Sequence, residues 1–360
     1  MATVDAGARR GIPGARAIAG ALAPWFEAVQ RDLPWRRTLD PYAIWVSEIM
    51  LQQTRVQTVE RYWGDFMRRF PTVQRLAAAD ESDVLAAWSG LGYYRRARLL
   101  HRGARYVADE LGGELPADAK ALLAVPGIGK YTAGALSTIA FGKAAPLVDG
   151  NVARVLSRLD AVRDPAQQPA NAARHWPRVA AIVAAGQPRV LAQALMELGA
   201  TVCTPRAPSC DTCPVRRLCR ARAGGLVDAI PAPKKRAASP RDGLWALAIT
   251  WRGRLGFVRR PDAGLLAGMF CLPLLPRESD DEPTASSLAA ELGVPVTGVA
   301  TRNAEIKHVF THRVWLMRPV IAKATRKPKA LPGGEAHWVA PGERPRGGVP
   351  SVTEKLLAAL

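Results

Sequence analysis

The spacing of apolar residues changes near the middle of the chain and divides it into two parts. From Ala23 to about Ala223, apolar residues recur mostly at intervals of three and four, and Pro and Gly separate segments of helical length. This pattern predicts a part that is almost entirely α-helical. Beyond residue 242, three short segments are rich in β-branched or aromatic residues, which is typical of strands. They are residues 244–250, 254–260 and 312–322.

The second part also contains two predicted helices, one at 286–293 and one at the C-terminal end, where Ser351 and Glu354 have capping-box spacing. It is therefore expected to be a separate α+β domain. Pro, Lys, Arg and Ser dominate residues 226–242, which predicts a linker. In chain order, we predict a disordered basic tail (1–22), a helical domain (23–225), the linker (226–242) and an α+β domain (243–360).

Length and charge narrow the functional class. The chain has 360 residues and 48% hydrophobic content, which allows two domains with real cores. Lys and Arg outnumber Asp and Glu by 50 to 31, giving a net charge of +19 that predicts a polyanionic partner, first of all nucleic acid. A bias in genomic base composition is the alternative explanation. No apolar run approaches the roughly 18 residues of a membrane span, and residues 1–22 lack the apolar core of a signal peptide, so a soluble cytoplasmic protein is expected.

Four of the five cysteines form one compact group, Cys203, Cys210, Cys213 and Cys219. Four thiolates are the full ligand set of a [4Fe-4S] cluster or of a structural zinc ion. Because nothing indicates export, the thiols are expected to stay reduced and not to form two disulfides. The spacing C-x6-C-x2-C-x5-C favours the cluster. Zinc remains an alternative, although only Cys210 and Cys213 make a CxxC knuckle.

Glu48 occupies an unusual place for a carboxylate. In the predicted helix around it, Ile44 and Leu51 stand at helical spacing from Glu48, which puts the carboxylate on an apolar stripe. Burial would disfavour the anion and raise the pKa of Glu48 into the range that a general acid needs near neutral pH. An ion pair with a buried arginine is the structural alternative.

Residues 121–142 contain two helical stretches around a tight Pro-Gly-Ile-Gly turn, which indicates a helix-hairpin-helix. Gly127 and Gly129 allow the backbone to approach a phosphate closely, and the following helix directs its N-terminal amides toward it. Lys130 adds positive charge. Such a hairpin binds DNA without reading sequence, whereas a plain helical hairpin is the alternative.

Asp149 and Asn151 stand at the start of a helix that continues through Leu159. A capping role accounts for either residue taken alone. A capping position can also present a carboxylate to a cleft, and two carboxylates in different environments are the usual groups that cleave a glycosidic bond. Glu48 and Asp149 are therefore the candidate catalytic pair.

Several stretches together resemble the MutY family of adenine DNA glycosylases, within the helix-hairpin-helix superfamily that carries a [4Fe-4S] cluster. They are LPWR (33–36), WVSEIMLQQTRV (45–56), GLGYYRRAR (90–98), VPGIGKYTAGA (125–135), VDGNVARVL (148–156), QALMELGATVC (193–203) and the cysteine group. The resemblance implies that a monomer binds double-stranded DNA between a six-helix lobe and a cluster lobe. It also implies removal of adenine mispaired with 8-oxoguanine or guanine in base excision repair.

One position separates this family from a related branch. Endonuclease III carries a nucleophilic lysine directly after the hairpin's G-x-G-x, and that place holds Tyr131 here. Lys130 comes one residue earlier, which rotates its side chain by roughly 100 degrees on a helix. We therefore expect a monofunctional glycosylase with little lyase activity.

The resemblance also implies roles for individual residues. Glu48 would protonate the flipped adenine and then activate water, while Asp149 would stabilise the oxocarbenium-like state. The supporting residues are Tyr131 and Asn151 for orientation, Arg36 and Gln193 for the adenine pocket, Gln53 and Tyr93 as wedges in the duplex, and Thr54 at its backbone or the oxidised base. Core packing is the alternative for Tyr93 and Tyr94.

The second domain resembles the Nudix-like domain with which this family recognises 8-oxoguanine, and the stretch LLAGMFCLP (265–273) fits that pattern. Residues 274–300 lack the R-E-x-x-E-E-x-G array of a working Nudix hydrolase, which predicts a binding module. The family's Phe-Ser-His loop corresponds to Phe310, Thr311 and His312, with Thr in place of the usual Ser. Cys271 is expected to be a packed thiol.

A different functional class also fits part of the sequence. An iron-sulfur electron carrier or redox sensor that binds DNA would account for the hairpin and the charge of +19. It would leave Glu48, the Asp149-Asn151 turn and the second domain unexplained.

Overall fold

The computed structural model of the protein describes residues 14–166, 168–233 and 238–360, and these residues pack as two units. The first unit contains residues 14–77 and 102–233, and the second contains 78–101 and 238–360. The predicted helical domain 23–225 therefore contains a segment that belongs to the second unit. Segment 78–101 belongs to the second unit, where the side chains of Ser89 and Tyr94 donate hydrogen bonds to the carbonyl oxygen of Val349 at 2.8 and 3.2 Å.

Between residues 15 and 223, the regular elements of the described chain are all helical, as the spacing of apolar residues from Ala23 to Ala223 predicts. The helices are α1 (Ala15–Val29), α2 (Pro41–Leu51), α3 (Val56–Arg69), α4 (Val73–Ala77), α5 (Glu81–Ala87), α6 (Arg95–Glu110), α7 (Ala119–Leu122), α8 (Lys130–Ile139), α9 (Gly150–Asp160), α10 (Pro169–Val183), α11 (Pro188–Thr201) and α12 (Arg220–Ala223). Short 3-10 turns lie at Pro34–Arg36 and Cys210–Thr212. Helix α5 and the first turns of α6 belong to the second unit.

Helix α2 is buried along most of its length in the first unit. Pro41 occupies its first turn, and the Asp40 side chain caps it by accepting hydrogen bonds from two backbone amides. Every residue from Tyr42 to Met50 is buried, and α2 packs against α3 and α8. Helix α11 contacts α1, α8 and α9, so the first turn of α9 is held against the helical core.

Two predicted boundaries are wrong in detail. Helix α1 begins at Ala15, because Ile18, Leu22 and Phe26 form an apolar stripe that is buried in the core. The disordered tail predicted for residues 1–22 therefore does not extend through this helix, and residues 1–13 lie outside the described residues. At the other boundary, Ile230 is buried, although it lies in the predicted linker.

The first part of the predicted linker 226–242 is fixed to the helical unit. The carbonyl of Ile230 accepts a hydrogen bond from Arg158 Nε at 2.8 Å, and the amide of Ala232 donates to the carbonyl of Arg163 at 2.9 Å. Residues 234–237 lie outside the described residues, and the first strand begins at Arg241.

The second unit is built on a mixed sheet. Its strands are β1 (Arg241–Trp251), β2 (Arg254–Arg259), β3 (Phe270–Cys271), β4 (Leu274–Pro276), β5 (Val296–Thr301), β6 (Ile306–Val309), β7 (Val314–Ala324), β8 (Ala330–Leu331) and β9 (Gly334–Val339), and its later helices are α13 (Ala285–Leu292) and α14 (Ser351–Leu357). The main path follows the order β5-β7-β1-β2-β9-β8, and β1 pairs with β7 in parallel.

Alternation along β1 explains why both faces of the sheet are covered. Trp245, Leu247 and Ile249 pack on one face with α13, whereas Ala246 belongs to the core on the other face with α14. The predicted α+β domain is confirmed. The predicted capping box is wrong, because Ser351 is the first helical residue and Pro350 occupies the N-cap without a side-chain bond. Among the described residues, no helix is long and apolar enough to cross a membrane.

Candidate active site

A cleft of about 470 Å³ opens in the first unit, where α2, α8, α9 and α11 meet the loop before α2. It brings together eight of the residues predicted from the sequence. They are Arg36, Glu48, Gln53, Thr54, Tyr131, Asp149, Asn151 and Gln193. The volume is in the range of a small-molecule site.

Glu48 lines this cleft with only 4% of its surface exposed. Its Oε2 accepts a hydrogen bond from the hydroxyl of Tyr131 at 2.9 Å. Burial raises the pKa of Glu48 to about 7, and the nearby negative charge of Asp149 acts in the same direction. The hydrogen bond from Tyr131 and the charge of Arg36 partly oppose this shift of the Glu48 pKa. Glu48 therefore has the properties of a group that exchanges a proton near neutral pH.

Asp149 both caps α9 and faces the cleft. Its Oδ1 accepts a hydrogen bond from the amide of Val152 at 2.7 Å, and its Oδ2 accepts one from Asn151 Nδ2 at 3.1 Å. Burial raises the pKa of Asp149, while these hydrogen bonds lower it. The Asp149 carboxylate therefore caps the helix and lines the cleft at the same time.

Arg154 links the first turn of α9 to the cysteine loop, a role that the sequence analysis missed. Its Nη2 donates to Asn151 Oδ1 at 2.9 Å and to the carbonyl of Gly199 at 2.7 Å. Its Nε donates to the carbonyl of Cys203 at 2.8 Å. A Cβ on Gly199 would come within 2.8 Å of Asn151 Cβ, so glycine permits this close packing of α9 and α11. The only sequence signal was the position of Arg154 one turn after Asn151.

The hairpin residues divide between the cleft and the surface. Gly127 has φ 85°, in the region that favours glycine, and Gly129 is the N-cap of α8. Tyr131 lines the cleft, whereas Lys130 is exposed and its Nζ lies 4.1 Å from the ring centroid of Trp176. Lys130 and Tyr131 therefore lie in different surroundings, as expected for adjacent positions on a helix.

The wall of the cleft formed by α11 contains an ion-paired group that was also missed. Gln193 is 9% exposed and donates to the carbonyl of Arg189 at 3.3 Å. One turn later, Glu197 binds Arg31 and Arg36 through N-O distances of 2.7 Å each. Although burial disfavours the anion, the hydrogen bonds from these arginines lower the pKa of Glu197 to about 2. Both arginines precede α2, far from Glu197 in sequence, so their pairing has no local signal.

Cys203, Cys210, Cys213 and Cys219 line one small cavity together with apolar residues of α9 and α11. Arg158 is buried and donates to Cys203 Sγ at 3.4 Å and to the carbonyl of Thr204 at 2.7 Å. Burial raises the pKa of Cys213 to about 11, and the neighbouring thiols add to this shift. Three arginines of the cysteine loop, Arg206, Arg216 and Arg217, are exposed.

Comparison with known proteins identifies both parts of the chain. Residues 46–178 match the model of the HhH-GPD superfamily base excision DNA repair proteins, and residues 244–359 match that of the NUDIX domain. Adenine DNA glycosylase of Rattus norvegicus is 38% identical over 349 residues, which cover 81% of this chain and 67% of the relative. That of Mycolicibacterium smegmatis is 45% identical over 207 residues, covering 57% and 69%. The chain belongs to the adenine DNA glycosylase family.

The adenine DNA glycosylase of Homo sapiens is 37% identical, and this chain spans 65% of its length. A thermostable thymine-DNA glycosylase of known structure shares 30% identity at a TM-score of 0.54, covering 58% of this chain and 97% of that one. An endonuclease III–DNA complex matches the fold at 22% identity and a TM-score of 0.50, covering 59% and 96%. The predicted family and fold class are confirmed.

Tyr93, which was predicted to enter the DNA duplex, and its neighbour Tyr94 have different environments in the second unit. Tyr94 is 7% exposed and packs in the core, as the structural alternative for it states. Tyr93 is 47% exposed and has φ 50°, a conformation uncommon for residues other than glycine. Gln53 in the first unit also has positive φ, at 59°. Tyr93 and Gln53 are thus the candidate wedges with unusual backbone geometry.

The Phe310-Thr311-His312 segment forms the turn between β6 and β7, closed by a hydrogen bond from the Phe310 amide to the carbonyl of Arg313 at 2.8 Å. Phe310 packs edge-on against His308 and Trp315, with ring centroids 4.5 and 4.8 Å apart. Thr311 and His312 are exposed. Elsewhere in this unit, Cys271 is buried, and burial raises its pKa to about 11.

Proposed function

We propose that this protein is a monofunctional DNA glycosylase that excises adenine opposite 8-oxoguanine or guanine by hydrolysis of the N-glycosidic bond. The observation that carries the proposal is the meeting of two carboxylates, buried Glu48 and partly buried Asp149, in one cleft of the first unit. Their pKa values are shifted in a buried setting that suits acid-assisted glycoside cleavage. Family membership supports adenine as the base.

In the proposed reaction, adenine leaves the base stack and enters the cleft. Glu48, about half of which is protonated near pH 7 because burial raises its pKa to about 7, donates its proton to the imidazole ring of adenine. The C–N bond then breaks, and neutral adenine departs. Asp149 stabilises the positive charge that develops on the sugar, electrostatically or covalently. Glu48, now anionic, accepts a proton from the attacking water.

Side chains around the pair have supporting roles in this proposal. Tyr131 donates to Glu48 and orients it, and Asn151 holds Asp149 by a hydrogen bond. Arg36 and Gln193 contact the adenine from the cleft wall. For the duplex, we propose that Gln53 and Tyr93 act as wedges and that Thr54 contacts the backbone or the oxidised base.

The geometry of the hairpin supports hydrolysis without lyase chemistry. A Schiff base requires an amine beside the sugar, but Lys130 lies on the ring of Trp176 and does not line the cleft. The phenol of Tyr131 occupies the corresponding place. Lys130, Gly127 and Gly129 would instead hold a DNA phosphate at the N-terminus of α8.

The cysteine group fits a [4Fe-4S] cluster. All four thiols line a single cavity, and Arg158 donates a hydrogen bond toward one of them, as sulfur ligands of such clusters accept. Within the described residues, no group of three or more His, Cys, Asp or Glu side chains is arranged to hold a metal ion, so the choice of a cluster over zinc rests on the cysteine spacing and on family membership. When bound, the cluster would cross-link the loop that follows α11. We assign it a role in folding and DNA binding, because the four cysteines do not line the carboxylate cleft.

For the second unit, we propose recognition of 8-oxoguanine through Phe310, Thr311 and His312. The exposed tip of this turn and the aromatic packing beneath it would present a rigid edge to a base. The threonine keeps the hydroxyl of the usual serine. We further propose that the protein acts as a monomer on chromosomal DNA in a bacterial cytoplasm.

A base-release assay tests the proposal. Duplexes with adenine opposite 8-oxoguanine and duplexes with thymine glycol are incubated with the protein and then split into samples with and without alkali. Adenine loss whose strand scission needs alkali is the expected result. Scission without alkali would contradict monofunctional chemistry, and binding without base loss from either duplex would indicate a DNA-binding redox protein.

A further inference from the structure

Glu197 is a buried carboxylate in the cleft wall to which the proposed reaction assigns no role. It lies on α11 with 1% of its surface exposed. Its Oε1 accepts hydrogen bonds from the backbone amide and Nε of Arg31 at 3.3 and 2.7 Å. Its Oε2 accepts from Arg31 Nη2 at 2.8 Å and from Arg36 Nη2 at 2.7 Å.

These contacts exclude Glu197 from binding a base or transferring a proton. An ionised carboxylate has about four lone-pair sites, and four donors already occupy them. The two guanidinium groups hold the pKa of Glu197 at about 2, so it remains anionic at any pH at which the protein would work. Its effect on the cleft must therefore pass through Arg31 and Arg36.

Arg36 is fixed more firmly than a surface arginine. Besides its bond to Glu197, its Nη1 donates to the carbonyl of Arg31 at 3.1 Å, and its guanidinium lies 5.4 Å from the ring centroid of Phe26. The side chain is 13% exposed. This arrangement places two cations and one anion, a local charge of +1, at one wall of the cleft.

Glu48 is surrounded by few other charged or titratable groups. Tyr131 faces it from α8, Asp149 from the start of α9, and Arg36 from the 3-10 turn before α2. Arg31 and Glu197 are joined to Arg36 by the contacts above. Of the carboxylates in this set, Glu197 is the one that pairs directly with Arg36.

We propose that Glu197 is a positioning residue, which fixes Arg31 and Arg36 against the cleft wall and neutralises one of their two charges so that Glu48 keeps its proton. This inference rests on the proposed function of Glu48 as the acid. Without Glu197, the guanidinium groups of Arg31 and Arg36 would lose their buried counter-ion and would favour the Glu48 anion. The acid form would then be lost at lower pH, and base release at neutral pH would slow.

The test is the pH profile of single-turnover adenine release by full-length Glu197→Gln protein, with the wild type in parallel. We expect the limb at which the rate falls with rising pH to move down by about one unit, which corresponds to an about eightfold loss of rate at pH 7.5. Glu60→Gln is the matched control, because Glu60 is an exposed carboxylate on α3 that also interacts with Arg31. Its profile should match the wild type.

A charge-balanced double variant separates electrostatics from packing. Arg31→Gln with Glu197→Gln removes one charge of each sign and should return the limb toward its wild-type position. An unshifted limb in Glu197→Gln, or a double variant that stays shifted, would overturn the proposal. If Glu197→Gln does not fold, Arg31→Gln alone should move the limb upward, and a limb that stays or moves downward would overturn it.

A second readout distinguishes failure of this inference from failure of the proposed function. The pH dependence of unfolding, compared with and without Glu48→Gln in the Glu197→Gln background, reports the Glu48 pKa without any turnover. A downward shift of the Glu48 pKa in a protein that releases no adenine would refute the proposed glycosylase function but support the effect of Glu197 on Glu48. An unchanged Glu48 pKa in a protein that does release adenine would refute the inference alone.

Discussion

Replacing Glu48 by glutamine should stabilise the protein at alkaline pH, even though it removes the proposed acid. Glutamine has nearly the same volume, and its carbonyl oxygen can still accept the hydrogen bond from Tyr131. In the fold, the pKa of Glu48 is raised to about 7 from an ordinary value of 4.5, a difference of 7 − 4.5 = 2.5 units. At 1.36 kcal/mol for each unit, the wild type loses about 3 kcal/mol of unfolding free energy relative to the variant when Glu48 ionises.

The sign and pH window follow from linkage. Because burial raises the folded-state pKa of Glu48, the folded protein binds more protons than the unfolded chain between about pH 4.5 and 7. The stability that Glu48 contributes is fully present below pH 4.5 and is lost as pH rises through 7. The two proteins should therefore be equally stable near pH 4 and diverge progressively, with the full difference above pH 8.

Urea unfolding of both full-length proteins at a series of pH values measures this difference. Glu60→Gln provides the control, since Glu60 is an exposed carboxylate whose removal should leave the difference near zero at every pH. A Glu48→Gln protein that is less stable than the wild type at pH 8, or a difference that does not change between pH 4 and 8, would refute a buried Glu48 of raised pKa.

Three further results are expected. Asp149→Asn should change the unfolding free energy by no more than about 1 kcal/mol, because asparagine is an equally good N-cap. Single-turnover adenine release by this variant should fall by about 10²- to 10³-fold. A rate within tenfold of the wild type would show that Asp149 takes no part in the chemistry. Cys210→Ser should lose the visible absorbance of the iron-sulfur cluster and weaken DNA binding in titrations, and full affinity in a cluster-free protein would be inconsistent with its assigned role. Lys130→Ala should lower the slope of log affinity against log salt by about 1 without altering base release, and an unchanged slope would mean that Lys130 contacts no phosphate.

The sequence was most informative where function and local structure use the same residues. Asp149 caps a helix and faces the cleft, and Glu48 lies in a helix whose apolar neighbours predict burial, so both could be selected from spacing alone. The strands were predicted from β-branched and aromatic residues, which both faces of the sheet bury. In these places, local pattern and tertiary environment agree.

Long-range packing explains the errors. Segment 78–101 has ordinary helical spacing, and nothing in it indicates that Ser89 and Tyr94 bond to Val349. Ile18 and Leu22 were placed in a tail because the arginines and glycines before them resemble disorder. Ser351 has capping-box spacing but enters the helix one residue too late to cap it.

The residues missed at the site share one property. Glu197 pairs with arginines more than 160 positions away, and Arg154 reaches across to the carbonyl of Cys203, 49 positions away. The local spacing of residues does not indicate such pairs. Without knowledge of its partners, Glu197 cannot be told apart from other polar residues on a helix. Only the folded arrangement shows that its carboxylate is saturated by donors.

The central claim is that a protonated Glu48 initiates adenine release. It is tested most directly by single-turnover base release from a duplex with adenine opposite 8-oxoguanine, at pH 7 and with enzyme in excess, for the wild type and Glu48→Gln. The account predicts that the variant binds the duplex with unchanged affinity and releases adenine at least about 10²-fold more slowly. Near-normal adenine release by Glu48→Gln would contradict it.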